Sequence, residues 1–374
     1  MSMAKYIGNA DFDHMTPAST GILITNLGTP DQPTPPAVRR YLAEFLSDPR
    51  VIETPRAIWW PVLHGIILRT RPRRSAHAYA RIWSDNGSPL LDITRKQAAA
   101  IRESLAGRVA GPFHVEVAMR YGNPSIHYAL ERLRQAGIRR LLVFPLYPQY
   151  SATTTASTID AVTMVLKTWR WLPELRVINH YHDDEGYIGA LVESIRSHWA
   201  VQDKAAKLLF SFHGLPRKYF LSGDPYYCEC MKTARLTAEQ LELREEEWLV
   251  TFQSRFGLME WLQPYTDKTL IRWGQAGTSS VDVICPGFSA DCLETLEEIN
   301  ILNRDLFIGN GGKRYAYIAA LNDDATHISA LTDLILRHCQ GWPEFADNRD
   351  REEAAKELSL RNARMEKMKS KNKI

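Results

Sequence analysis

The sequence predicts an α/β protein of two doubly wound domains, each built on a four-stranded parallel sheet flanked by helices. Three observations predict it. Short β-branched and aromatic runs alternate with longer helical patterns, as parallel sheets covered by helices require. The alternation occurs twice in the same order, without sequence identity between the halves. A length of 374 residues is also more than one core usually carries.

The first-half strands are expected at 22–27, 115–121, 140–146 and 176–181. Those of the second half are expected at 207–212, 248–253, 281–286 and 314–321. The clearest helix covers 125–135, where Ile126, Ala129, Leu130 and Leu133 form one face and Gly137 ends it. The expected boundaries are an N-terminal extension at 1–20, a first domain at 21–182, a second at 183–341 and a charged tail at 342–374. Residues 33–86 are too long for a simple crossover, so they should hold a helix and a functional excursion, centred on 50–86.

Hydrophobic residues make up 45% and charged residues 24%, the ordinary proportions of a cored globular chain. A net charge of +3 supplies no broad basic field, so nucleic acid is not an expected partner. Five cysteines are few and odd in number, which points to reduced thiols rather than a disulfide framework. Residues 1–20 resemble neither a secretory signal nor a transit peptide. No apolar run reaches the roughly 20 residues of a membrane span. The expected location is the cytoplasm.

In open parallel sheets, ligands bind beyond the carboxyl ends of the strands, so strand ends are where chemistry is sought. The first strand ends in Asn26-Leu27-Gly28-Thr29-Pro30, a tight turn without the spacing of a dinucleotide loop. Gly309-Asn310-Gly311-Gly312-Lys313 lacks Walker spacing and precedes a strand instead of following one. Nucleotide binding is therefore not expected. Arg120-Tyr121 closes the second strand, and Arg120 there pairs either with a ligand carboxylate or with a neighbouring acid. The third strand leads into Leu146-Tyr147-Pro148-Gln149-Tyr150-Ser151, whose rings and prolines suit a binding wall.

His213 leaves an apolar strand just before Gly214. A histidine in that place is either structural or a neutral imidazole that takes a proton or binds a metal. Beyond the seventh strand, Asp291, Glu294 and Glu298 fall at i, i+3 and i+7 of an expected α-helix, on one face. That face is either a solvated acidic surface or a track that attracts a divalent cation. The excursion carries Trp59-Trp60 in an apolar stretch, then Arg69, Arg71, Arg73 and Arg74. It is either an ordinary buried helix or a lip that meets lipid headgroups or guides a flat, acidic, greasy ligand. Cys228-Glu229-Cys230 offers too few thiolates for a four-ligand cluster.

Taken together, these strand-end segments resemble the ferrochelatase family, and the resemblance covers nearly the whole chain, from Gly21 to about Gly341. The resemblance rests on Asn26-Leu27-Gly28-Thr29-Pro30, Arg120-Tyr121, 146–151, Ser211-Phe212-His213-Gly214-Leu215-Pro216, Gln253-Ser254-Arg255-Phe256-Gly257 with Trp261, and Pro286-Gly287-Phe288 leading to Glu294-Thr295-Leu296. It implies two Rossmann-like domains of the class II chelatase kind, with a porphyrin cleft between them. It implies insertion of Fe²⁺ into protoporphyrin IX to give protohaem, with His213 and Glu294 catalytic and Asp291 and Glu298 completing the metal track. Leu27, Arg120, Tyr121, Tyr147 and Trp261 then line the porphyrin site, and Trp59-Trp60 belong to the lip, a point of peripheral membrane contact. Some relatives bind a [2Fe–2S] cluster through C-terminal cysteines; this tail has only Cys339, so no cluster or other cofactor is expected. Cys292 stands where some relatives have histidine. A monomer is expected.

Overall fold

The computed structural model describes residues 6–8, 16–109, 111–257, 259–346 and 348–372, so most of the expected extension at 1–20 lies outside the described residues. All eight expected strands are present, each within a few residues of its expected bounds. They are β1 Ser19–Thr29, β2 Phe113–Gly122, β3 Ile138–Pro145, β4 Glu174–Val177, β5 Lys207–His213, β6 Trp248–Gln253, β7 Ser280–Ile284 and β8 Arg314–Ile318. They pair in two four-stranded sheets with orders β2-β1-β3-β4 and β6-β5-β7-β8. Every pairing is parallel, and the second sheet repeats the topology of the first.

The helices are α1 Pro35–Leu46, α2 Arg56–Val62, α3 Leu68–Ile82, α4 Pro89–Ala106, α5 Ile126–Gln135, α6 Ser157–Leu166, α7 Glu185–Val201, α8 Arg217–Leu221, α9 Tyr226–Gln240, α10 Thr266–Gln275, α11 Arg304–Gly309, α12 Ala325–His338 and α13 Asn348–Asn372. Helix α5 follows its sequence pattern closely. Ser125 caps it by accepting a hydrogen bond from Tyr128 N, and Gly137 follows in the left-handed region at φ 74°. No described helix is long and apolar enough to cross a membrane.

One apolar cluster runs through both halves. Ile22, Ile24 and Phe144 of the first sheet join Phe210, Phe212 and Ile284 of the second. Helix α7, the crossover between the sheets, packs on α9 and α12, and α12 in turn meets α4 of the first half. The sheets are therefore held by shared burial, not by a linker alone, which fixes their strand ends relative to each other.

Among the described residues three segments are π-helical: Leu63–Ile67 between α2 and α3, Ala152–Ala156 before α6, and Glu294–Asn303 before α11. This corrects the expectation of an α-helix after β7. A π-helix bonds i to i+5 and costs stability in isolation, so tertiary contacts must hold it. The excursion at 50–86 folds as α2, a π turn and α3, with Ile58, Trp60 and Ile66 exposed and Trp59 half-buried.

Candidate active site

In each sheet the strand order reverses between the two central strands, β1 and β3 in the first and β5 and β7 in the second. Crevices open at such switch points. Here the two crevices merge into one cleft, to which all four of these strands contribute at their carboxyl ends or just beyond, through Leu27, Tyr147, His213 and Ser289. The lip adds Tyr79, and the segment after β6 adds Phe256, Met259 and Trp261. Trp261 is buried, donates its indole N–H to Phe256 O at 2.9 Å, and lies 4.9 Å from the Phe256 ring. These rings give the cleft flat apolar walls.

His213 is the last residue of β5 and lines the cleft. Its Nδ1 lies 2.7 Å from Gly214 O. A carbonyl oxygen can only accept, so Nδ1 carries the proton and Nε2 presents a lone pair. Gly214 must be glycine for this turn: a Cβ there would stand 2.7 Å from Gln253 O and 3.2 Å from the Trp261 ring.

Two carboxylates lie on the segment opposite. Glu294 lines the cleft together with His213, and Glu298, about one π turn further on, lies behind the lining but close enough to feel the His213 charge. Glu298 accepts hydrogen bonds from Ser254 N at 2.8 Å and from Ser254 Oγ. Ser254 can aim both because its backbone is left-handed, φ 64°. Burial raises the Glu298 carboxyl above the usual range and the Glu294 charge adds to it, while the Ser254 bonds and His213 oppose the rise. Gln253, the last residue of β6, ties the parts together. Its Nε2 donates to Glu294 O at 3.1 Å, and its O accepts from Gly214 N at 2.8 Å. Glu297 points elsewhere and pairs with Arg81 of α3 at 3.0 Å, which anchors the lip to the π-helix.

The remaining expected site residues divide. Leu27, Tyr147 and Trp261 line the cleft. Asp291 does not join the other acids: its carboxylate accepts from Thr295 Oγ1 at 2.9 Å, Tyr317 OH at 2.6 Å, Asn322 Nδ2 at 2.8 Å and Ala320 N at 3.4 Å. With its lone pairs so engaged, it braces the start of the π-helix. Arg120 and Tyr121 are not among the cleft-lining residues. Arg120 Nη2 reaches Asp48 Oδ2 at 2.5 Å, Tyr121 OH reaches the same oxygen at 2.8 Å, and Arg120 Nε donates to Ser157 Oγ at 2.7 Å. Of the two pairings open to Arg120, the neighbouring acid has taken it.

Tyr41 and Tyr79 have no part in the sequence expectations, yet both line the cleft near Glu294. Burial, and after it nearby charges including Glu294, pushes both phenols well above their ordinary range, so they stay protonated. Burial and then Glu294 likewise push up the Cys292 thiol. It remains neutral, and a neutral thiol is a poor metal ligand. Gln253, Ser254, Tyr41 and Tyr79 are polar residues at strand ends or on apolar helix faces, a weak signal in sequence.

The ferrochelatase family model matches residues 19–339. The chain belongs to the ferrochelatase family. It is 56% identical over 340 residues to the ferrochelatase of Thioalkalivibrio sulfidiphilus, covering 91% of this chain and 92% of that one. The ferrochelatase of Nitrosococcus oceani is equally similar, 56% over 340 residues, with 91% and 92% covered. Among solved structures, SirB from Bacillus subtilis with Fe³⁺ superposes with a TM-score of 0.53 at 11% identity, covering 86% of this chain and 96% of that one. At that identity the likeness concerns the fold, and it is the two-sheet class II chelatase fold seen here. The family match includes every cleft-lining segment.

Proposed function

We propose that His213, Glu294 and Glu298 carry the metal and protons of the reaction in the inter-sheet cleft. The reaction is insertion of ferrous iron into protoporphyrin IX, the last step of haem synthesis, by a metal-chelating lyase. The observation that carries the residue assignment is the His213–Gly214 O bond, which leaves an imidazole lone pair in a cleft that is walled by rings and shared with Glu294, with Glu298 near enough to feel His213.

Inserting Fe²⁺ replaces two pyrrole N–H protons. His213 Nε2 accepts a proton or holds the incoming iron, and Glu298, its carboxyl raised by burial, relays protons away together with Glu294. Leu27, Tyr147 and Trp261 hold the macrocycle, bent so that its nitrogens turn to the metal. Such distortion costs of order 1–5 kcal/mol, supplied by contacts elsewhere on the ring. Asp291, Arg120 and Tyr121 position this machinery and do not touch the substrate.

The two sheets act as domains, at 21–182 and 183–341, with the 50–86 segment as the lip. Exposed Ile58, Trp60 and Ile66, beside Arg56, Arg69, Arg73 and Arg74, suit contact with lipid headgroups. Action as a monomer belongs to this proposal. The test is anaerobic turnover of protoporphyrin IX with Fe²⁺, and with Zn²⁺ as surrogate, followed by porphyrin absorbance. Multiple turnovers are expected. Tight porphyrin binding without turnover would make the protein a tetrapyrrole carrier.

A further inference from the structure

Behind the cleft wall, on the far side of Gln149 and Tyr150, two histidines and a buried acid converge. The chain leaves β4 through His180-Tyr181-His182 before entering α7, and Glu229 stands in the first turn of α9. His180 Nδ1 lies 2.7 Å from Glu229 Oε1, and His182 Nδ1 lies 3.3 Å from Glu229 Oε2. One donor atom from each residue falls within 4.8 Å of the others. The His182 side chain is 8% exposed and that of Glu229 9%.

His182 Nδ1 is buried and makes no hydrogen bond, although a carboxylate oxygen is 3.3 Å away. The atoms share a space without being aligned for a proton. A cation with bonds of about 2.0–2.2 Å holds adjacent ligands roughly 3.4 Å apart in tetrahedral geometry. The 3.3 Å separation matches that spacing, the 2.7 Å one is a hydrogen bond that opens slightly on binding, and none exceeds 4.8 Å. Burial also holds the His182 imidazole neutral, the form that ligates. His180 is 49% exposed, which leaves a solvent side for water ligands.

We propose that His180, His182 and Glu229 form a second divalent-metal site, separate from the cleft, for a cation of the Zn²⁺ or Fe²⁺ kind. Two imidazoles and one carboxylate suit such borderline ions better than Mg²⁺ or Ca²⁺. None of the three residues lines the cleft, so the metal is not the one being inserted. It pins the β4–α7 connection to α9 and stiffens the cleft wall from behind. Glu229 Oε2 accepts from Tyr150 N at 2.7 Å. Gln149, which lines the cleft, donates to Thr233 Oγ1 at 2.9 Å, and Thr233 donates to His182 O at 2.7 Å.

The test is Co²⁺ titration of the chelator-stripped full-length protein, read by visible d–d absorption. The background is the doubly substituted cleft variant His213→Ala, Glu294→Gln. One Co²⁺ per chain should still bind there and should be displaced by Zn²⁺. Adding His180→Ala, a half-exposed truncation that leaves Glu229 and its bond to Tyr150 in place, should weaken that binding at least tenfold. Adding His182→Ala should do the same, with circular dichroism confirming the fold in both. Zn²⁺ should raise the melting temperature of the cleft variant and not of the variant that also carries His180→Ala. A cleft variant that binds no Co²⁺, or a loss below tenfold in either histidine variant, overturns the proposal.

Discussion

Replacing Asp48 with asparagine keeps the side chain's shape and removes the charge that holds Arg120. Asp48 is 3% exposed and Arg120 17% exposed in their side chains. Besides Arg120, Asp48 accepts from Tyr121 OH at 2.8 Å, Ser157 Oγ at 2.6 Å and Arg50 N at 2.7 Å. Removing one partner of a buried ion pair costs about 3–5 kcal/mol, because the other charge is left without its counterion. Arg120 keeps its bonds to Ser157 and some solvent, so the low end applies, about 3 kcal/mol. Urea unfolding should show the midpoint falling with the slope unchanged. Adding Arg120→Met should recover most of the loss, since the resulting neutral pair leaves no buried charge unpaired. Porphyrin affinity of the folded fraction should not change. A stability loss under about 1 kcal/mol, or normal stability with weakened porphyrin binding, would put Arg120 on the substrate and refute the positioning role.

Two further outcomes follow from buried titratable groups. Because burial raises the Glu298 carboxyl, its proton-accepting form is lost as pH falls at a higher pH than for an ordinary glutamate. Glu298→Gln should therefore lower kcat about a hundredfold and abolish the acid limb of the pH–kcat profile; an unchanged limb would remove Glu298 from the proton path. His327 is fully buried, and burial lowers its imidazole from 6.5 to about 4, against the opposing effects of its bond to Asn322 O and the Asp324 charge. A depressed folded-state value contributes stability above pH 6.5, and this is lost as pH falls from 6.5 towards 4. The loss amounts to about 3 kcal/mol. His327→Gln should lose correspondingly less stability between pH 7 and pH 4.5 in urea titrations, and equal slopes would contradict the linkage.

The strands were legible because buried parallel strands are runs such as Leu208-Leu209-Phe210 and Val281-Asp282-Val283-Ile284, closed by glycine or proline. His213 and Glu294 were legible because the fold places strand exits and the following helix starts at the crevice. The π geometry was not. Nothing in Glu294-Thr295-Leu296-Glu297-Glu298 distinguishes an i+4 from an i+5 bond; long-range contacts from Gln253 and Ser254 accompany the wider turn. The closure of Asp291 by Tyr317 and Asn322, and of Arg120 by Asp48, depends on partners 26 to 72 residues away. Spacing along one helix carries no trace of such partners. The convergence of His180 and His182 on Glu229 is hidden for the same reason, 47 to 49 residues apart in sequence.

The central claim is that the His213 lone pair drives metal insertion while other groups hold the porphyrin. The direct measurement compares wild type and His213→Ala for anaerobic Fe²⁺ insertion into protoporphyrin IX, with porphyrin binding measured on the same samples by fluorescence quenching. The account predicts that turnover is abolished and that porphyrin binding stays within a few-fold of wild type, since Leu27, Tyr147 and Trp261 remain. Near-normal turnover in His213→Ala would contradict it.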